Sequence, residues 1–463
     1  MANAEKAEKA GKPKKAEKVD KVRNLAVRVL GEVHEEGAYA NVALARNLRK
    51  AQLTDVDRRF LTELVYGAVK VGGTLDWMIR RYVNRPVRKI APMIRNILRL
   101  GFYQIFYMDK VPDSAACNEC VELAKKYGHP GTVKFVNAVL RSAVREPEKC
   151  AFPHGKGHAT EELALKSFHP QWMVKRWVKA FGYDAAAAIC AFDNEDAVLS
   201  LRTNTLKTTR EELLERLKSE GAEVTPSDWA PEGILCQKHG ALDCVASLQE
   251  GLFQVQDESS MQVAHVVAPE PGEFIIDCCS APGGKTTHLA ALMKNQGRIV
   301  ASDIYEHKLA RIEENAKRLG ITIIDTELLD ARDIGKHFPQ QADRVLVDAP
   351  CSGLGVLRRK PDARWRKNEE ELRKLPQLQL DILTSAAEAV KIGGVLVYST
   401  CTIDRKENEE VVEAFLATHP QFEIEETGQY LPTKPREAKM VQLYPNVDGT
   451  DGFFIARMKR NAR

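Results

Sequence analysis

Apolar residues between Lys21 and Arg145 recur at three- and four-residue spacing, the period at which one face of an α-helix returns to the same side. Leu25, Val29, Leu30 and Val33 form one stripe. Phe60, Leu61, Leu64, Val65 and Ala68 form the next, behind a start signal made by Thr54 with Asp57 three residues on. Met93, Ile94, Ile97 and Leu98, then Cys117, Cys120, Val121 and Ala124 ahead of Gly128, then Phe135, Val136, Val139 and Leu140 continue the series. Residues 21–145 therefore read as an all-helical domain. Pro147, Pro153, Gly155 and Gly157 break the period, so 146–160 reads as a linker. Over 161–267 the pattern is mixed: a helix through Trp172, Met173 and Trp177, a strand at Val198–Arg202, an amphipathic helix at Arg210–Leu217, and short strands near Ile234 and at Leu252–Val255. This predicts a small α/β segment that presents substrate to the domain after it.

From residue 268 to the end, apolar runs of strand length alternate with helical segments. Phe274–Cys278, Arg298–Asp303, Ile321–Glu327, Asp343–Asp348 and Gly394–Ser399 are the runs; Lys308–Leu319 and Glu369–Val390 are among the helices, and Phe422–Glu425 and Phe453–Met458 close the series. Such alternation predicts a parallel, doubly wound sheet with its ligands at the carboxyl ends of the strands.

The first 150 residues hold 29 Lys/Arg against 17 Asp/Glu, net +12, and the remainder 39 against 47, net −8. That imbalance suggests a polyanion as partner of the first third, although a solvated helical surface gives the same count. Residues 1–20 are Ala-, Lys- and Glu-rich and read as a disordered basic tail. No apolar run approaches the roughly 20 residues a membrane helix needs, so a cytoplasmic protein without membrane contact is expected. Ten cysteines without metal-ligand spacing point to reduced thiols and to no metal ion.

The segment Asp277-Cys278-Cys279-Ser280-Ala281-Pro282-Gly283-Gly284-Lys285 lies where the first run of the sheet gives way to a helix, and its glycines admit a ligand to the backbone. A phosphate-cradling loop would need glycine five residues before Gly284, where Cys279 stands, so the nucleoside-triphosphatase reading fails. Asp303 ends the second run and is placed for ribose hydroxyls; Asp330 follows the third and could meet an adenine edge. Each Asp alone is more often a turn or a helix cap. Cys351 follows the fourth run, in Asp348-Ala349-Pro350-Cys351-Ser352-Gly353, and Cys401 ends the fifth, in Ser399-Thr400-Cys401-Thr402. A lone cysteine at a strand end is ordinarily a small buried hydrophobe. Two on adjacent strand ends beside a nucleoside site suit carbon-5 alkylation of cytosine, in which a thiolate adds to carbon 6 and makes carbon 5 nucleophilic. Asp348 can hydrogen-bond the pyrimidine as it gains electron density. Arg358, Arg359, Lys360, Arg364 and Trp365 interleave cations with an aromatic ring, a pattern suited to RNA or to a charged loop.

With these residues in view, the carboxyl half resembles the Sun-type (Nop2/Sun, or Fmu) family of RNA cytosine-C5 methyltransferases. The resemblance rests on Ala281 to His288, Asp348 to Gly353, Ser399 to Thr402, Glu407-Asn408-Glu409 and Asp448 to Phe454, with Leu201-Arg202-Thr203-Asn204 and Gln256-Asp257-Glu258-Ser259 ahead of them. Asp57 to Phe60, Glu63 to Gly67 and Phe135 to Arg141 resemble the antitermination factor NusB. The resemblance implies a NusB-like all-α RNA-binding domain, the small α/β segment, and a Rossmann-like catalytic domain over 268–463 with a seven-stranded sheet. It implies S-adenosylmethionine as cofactor and 16S ribosomal RNA as partner of a monomer. It makes Cys401 the nucleophile and Cys351 an aid to product release, with Asp348 and Lys285 in the reacting group. Cys279, Ser280, Ala281, Pro282, Gly283, Gly284, Lys285, Asp303, Asp330 and Asp348 would line the cofactor and base pocket. Ser280 stands where the family commonly has alanine, and Asn446 where it often has histidine. A transfer-RNA enzyme of the same chemistry and a non-catalytic RNA-binding factor remain as alternatives.

Overall fold

The computed structural model describes residues 19–155, 157–238 and 245–462, so the basic tail lies outside the described residues except for its last two positions. The chain forms two compact units. One runs to Gln171 and includes Lys360–Trp365; the other comprises Trp172–Arg359 and Arg366 onward.

The first unit is built on α1 (Lys21–His34), α2 (Ala40–Lys50), α3 (Asp55–Arg80), α4 (Pro92–Tyr107), α5 (Asp113–Tyr127) and α6 (Pro130–Arg145), with the short helix Ala159–Lys166 after them. Their starts follow local chemistry. Asp20 and Thr54 side chains accept from the first-turn N–H groups of Arg23 and Asp57, and Pro92 and Pro130 occupy first-turn positions where a missing N–H is harmless. The expected stripes meet in one core around Leu30, Leu64, Leu98 and Leu140. Helix α2 was not expected from the hydrophobic period, because its inward face is Ala40, Ala43, Leu44 and the polar Asn47, whose amide donates to Ala43 O (2.9 Å) and to Glu32. Cys150, within the expected linker, is buried in this core.

Lys360–Trp365 packs as part of the helical unit. The Trp365 indole donates to Lys70 O (3.1 Å), and a Cβ at Gly73 would fall 2.1 Å from its ring, so glycine admits it. Arg364 is fully buried and donates to Phe168 O (3.1 Å). These two side chains are thus internal packing, a correction to the expected RNA contact. Lys360 stays exposed, its ammonium 5.8 Å from the Tyr39 ring centroid.

The second unit holds two sheets. The smaller orders β1 (Leu199–Thr203), β2 (Glu223–Pro226), β3 (Gly233–Lys238) and β4 (Phe253–Val255) as β2-β3-β1-β4, all antiparallel. The larger uses β5 (Phe274–Asp277), β6 (Arg298–Asp303), β7 (Ile324–Leu328), β8 (Ala342–Asp348), β9 (Val390–Thr400), β10 (Phe422–Ile424), β11 (Met440–Leu443) and β12 (Phe453–Arg460). Its order is β10-β12-β9-β8-β5-β6-β7, with β11 also paired to β12. Strands β5 to β9 are parallel and β12 runs antiparallel beside β9. Seven strands lie in the continuous path, and β11 is the eighth. Alternate strand residues feed opposite faces: Ile276, Val300, Val345 and Leu396 enter one core, Ile275, Ile299, Leu346 and Val397 the other. The order puts the carboxyl ends of β9, β8, β5, β6 and β7 in one row. Among the described residues no helix is long and apolar enough to cross a membrane.

Candidate active site

The row of strand ends gathers the side chains that carry chemistry. Thr400 ends β9, so Cys401 is the first residue beyond it; Asp348 ends β8 and Cys351 follows three residues on. Because Asp348 and Ser399 are register partners, the two chain exits lie side by side, and Cys351 Sγ stands 3.3 Å from Cys401 Sγ. The thiol contact, burial and the nearby Glu407 and Asp348 charges hold Cys351 well above the usual thiol range. It is therefore a proton-bearing thiol at neutral pH.

Lys285, in the first turn of the helix Gly284–Leu292, donates to Asp348 Oδ2 (2.7 Å), and Ser399 Oγ donates to Oδ1 (2.9 Å). Burial alone would pull the Lys285 ammonium down, but Asp348, Cys401 and Asp277 together leave it raised, hence charged. Cys401, Cys351, Asp348 and Lys285 thus form one cluster.

The glycine segment follows β5. Gly283 has φ +95°, the left-handed region that favours glycine, and a Cβ there would meet Ile312 at 3.3 Å. Beside it, a Cβ on Gly284 would find only Gln256 at 3.9 Å, which leaves open backbone at a helix start. Ser280 Oγ donates to Ser302 O (2.9 Å), so the hydroxyl that departs from the family pattern is satisfied locally. Asp303 Oδ1 accepts from Tyr305 N (3.0 Å), and Lys308 lies 3.5 Å from Oδ2, with lone pairs remaining for a diol. Asp330 caps the short turn Ala331–Asp333 and pairs with Arg332 at 2.6 Å, which lowers its carboxyl. Cys279 is half-buried, and burial pushes its thiol up, as it does that of Cys278. These residues fit a nucleoside-type ligand with a ribose: a backbone lacking side chains at the loop, and a carboxylate at the neighbouring strand end.

Arg358 and Arg359 are not open to a polyanion. Arg358 donates to Asp451 (2.8 Å) and covers the Phe192 ring; Arg359 pairs with Asp451 and Asp257 and donates to Val198 O (3.0 Å). Both differ from the expected RNA contact for one reason: their acidic partners lie about a hundred residues away in sequence, beyond any local pattern.

Several working residues carry no signal strong enough to single them out. Arg202, fully buried on β1, donates to Gly284 O (2.6 Å), Thr287 Oγ1 (3.0 Å) and Gln256, fixing the glycine loop from behind; burial drops it to about 9. Among the described residues, Glu232, His265 and His288 bring three metal-capable atoms within 4.8 Å of one another. Both rings already lie at hydrogen-bond distance from Glu232 Oε1, 3.0 and 2.9 Å, and the Arg202 charge next to His288 disfavours a further cation.

Asp277, completely buried, accepts from Thr286 Oγ1 (2.7 Å) and is pushed up to about 7, mainly by burial. A carboxyl raised in the folded state contributes stability that is lost as pH climbs from its unfolded value toward its folded one. Asp277→Asn should therefore gain in Tm over the parent progressively between about pH 4 and 7 and level off above. The upper limit is about 4 kcal/mol for three pKa units at 1.36 kcal/mol each. A pH-independent Tm difference would refute this.

A sheet with seven strands in its continuous path, its last long strand antiparallel, with a glycine loop after the first parallel strand and acidic residues ending that strand's neighbours, defines the Rossmann-like methyltransferase class. The sequence model of the 16S rRNA methyltransferase RsmB/F family matches residues 264–459, that of the NusB family residues 20–145, and that of the RsmF/B-like ferredoxin-like domain residues 169–243. The chain is 43% identical over 446 residues to the probable ribosomal RNA small subunit methyltransferase B of Bacillus subtilis, covering 95% of this chain and 98% of that one. It is 33% identical over 443 residues to ribosomal RNA small subunit methyltransferase B of Klebsiella pneumoniae, covering 94% and 97%. The crystal structure of PH0851 superposes with a TM-score of 0.81 at 30% identity, covering 95% and 98%. That of NSun6 from Pyrococcus horikoshii with SFG gives 0.58 at 26%, covering 64% and 99%. The chain belongs to the RsmB family of RNA methyltransferases.

Proposed function

We propose that this protein transfers a methyl group from S-adenosylmethionine to carbon 5 of a cytosine in 16S ribosomal RNA through a covalent bond between Cys401 and carbon 6. The observation that carries the reading is the pair of sulfurs 3.3 Å apart at adjacent parallel strand ends, beside the Lys285–Asp348 pair. The relatives' names support the RNA class, and the structure solved with SFG, an S-adenosylmethionine analogue, supports the donor.

S-adenosylmethionine supplies an electrophilic methyl group when bound, with Gly283 and Gly284 giving it backbone and Asp303 a ribose partner. The chain's own residues do the rest. Cys401 gives its thiol proton to water and bonds as the thiolate to carbon 6, and the displaced ring electrons make carbon 5 nucleophilic. Asp348 accepts from the cytosine amino group, and the Lys285 ammonium balances the negative charge that develops on the ring. After methylation a water takes the carbon-5 proton and the C–H pair re-forms the double bond. The carbon–sulfur pair returns to Cys401, which takes its proton from the Cys351 thiol, and Cys351 recovers a proton from water.

Purified protein given labelled S-adenosylmethionine with unmethylated 16S RNA or small-subunit particles, and in parallel with transfer RNA, should place label at cytosine carbon 5 of the ribosomal RNA, read by base-resolution mapping. Label confined to transfer RNA, or on another atom, would overturn the assignment.

A further inference from the structure

Each reactive cysteine has both of its chain neighbours tied down, and the ties converge on two consecutive residues, Glu407 and Asn408. On one side, the Glu407 carboxylate accepts from Ser352 N (2.8 Å) and from Gln379 Nε2 (3.0 Å), and the same Gln379 amide donates to Pro350 O (3.0 Å). Pro350 and Ser352 flank Cys351. On the other side, Asn408 Oδ1 accepts from Thr400 Oγ1 (2.6 Å) and its amide donates to Thr402 O (3.0 Å); these residues flank Cys401. A direct bond between Ser352 and Thr402 hydroxyls (2.8 Å) closes the frame. Glu407 and Asn408 are both buried, and Tyr398 on β9 donates to the Glu407 carbonyl (2.6 Å), which anchors the pair to the sheet.

A buried carboxylate so placed is costly unless its bonds are needed, since each leaves water for a fixed donor. Here the bonds go to the backbone and side chains that fix where the two sulfurs stand. We propose that Glu407 and Asn408 are positioning residues that set the thiol separation, Glu407 holding the Cys351 loop and Asn408 the Cys401 turn. Their effect on turnover rests on the covalent reading above; their effect on spacing does not.

The test therefore reads spacing and chemistry separately on the full-length protein. Phenylarsine oxide bridges two thiols only when both sulfurs reach one arsenic, forming two As–S bonds with loss of water. The parent should capture it, and Cys351→Ser or Cys401→Ser should lose that capture. Glu407→Ala and Asn408→Ala should each weaken it by roughly tenfold, the loss of about 1.4 kcal/mol of fixing bonds. Glu407→Gln keeps an acceptor for Ser352 N and should stay within about threefold of the parent. The milder Gln379→Met, which removes the Pro350 tie and one donor to the Glu407 carboxylate but leaves the Ser352 N bond in place, should fall between and serves where an alanine variant does not fold. With RNA and donor, Glu407→Ala should raise the share of protein in a denaturant-resistant RNA adduct, because release lags, whereas Asn408→Ala should lower it. Parent-like arsenical capture in folded Glu407→Ala and Asn408→Ala overturns the proposal, as does equal loss in Glu407→Gln and Glu407→Ala. If capture follows the expected order yet no variant, Cys351→Ala included, forms an adduct, the spacing role stands and the covalent reading fails.

Discussion

Replacing Cys401 by alanine should abolish methyl transfer, with a loss on the order of a thousandfold or more, while the donor still binds. The magnitude is that of losing a covalent nucleophile, because no neighbouring group can take over bond formation to carbon 6. Cys351 is the substitute that distance suggests, but the Cys401 contact and burial hold its thiol well above the usual range. Donor binding should survive because Gly283, Gly284 and Asp303 belong to β6 and the turn and helix start after β5, not to the β9 exit. Calorimetric titration with the donor beside a methyl-incorporation assay separates the two effects. Full activity in Cys401→Ala would remove the mechanism; parallel loss of binding and activity would point to collapse of the cleft.

The second large effect is expected from Cys351→Ala, with the opposite signature. Addition to carbon 6 and methylation proceed, but the departing sulfur finds no proton 3.3 Å away, and protein accumulates on RNA. Turnover should fall by about a hundredfold, the lower range for a positioned acid, while the adduct resists denaturant and appears on a gel only when donor and RNA are both present. Turnover lowered without adduct would deny Cys351 the release role. Comparison with Cys401→Ala is then decisive, since that variant should form no adduct at all.

Much of the architecture was legible because the hydrophobic period switches where the fold does. The 3.6-residue stripes of Leu25–Val33 and Phe60–Ala68 become α1 and α3, and the run Arg298–Asp303 becomes β6 with the same bounds. What escaped were elements whose signal is weak in isolation. Helix α2 faces inward with two alanines, one leucine and an asparagine, β2 shows one buried residue in four, and β11 alternates over only four residues. The segment Glu369–Val390 reads as one helix but is two, Glu369–Leu372 and Leu375–Ala389, because Pro376 belongs to a first turn.

At the site, residues clustered in sequence were legible and those clustered only in space were not. Cys351, Cys401, Lys285 and Asp348 each sit in a short motif at a strand end, and the structure brings the four together. The positioning work of Arg202, Glu407 and Asn408 depends on partners as far as 85 positions away, so the sequence offered only their membership in family motifs. At Arg358, Arg359, Arg364 and Trp365 the expectation failed for the converse reason. Local composition suggested a nucleic-acid surface, while remote Asp451 and Asp257, and Gly73 across the helical unit, turn it inward.

From Cys401 a run of main-chain hydrogen bonds links two glycines. Gly355 N donates to Cys401 O (3.0 Å), Gly452 N donates to Gly355 O (2.7 Å), and a Cβ on Gly355 would lie 2.1 Å from Gly452 O. No rotamer, however small, can be threaded between those two peptides. Anyone reshaping this pocket by random mutagenesis to accept a different pyrimidine should hold both glycines constant and spend the library's diversity elsewhere, since variants at either position would be lost as unfolded protein before selectivity could be scored.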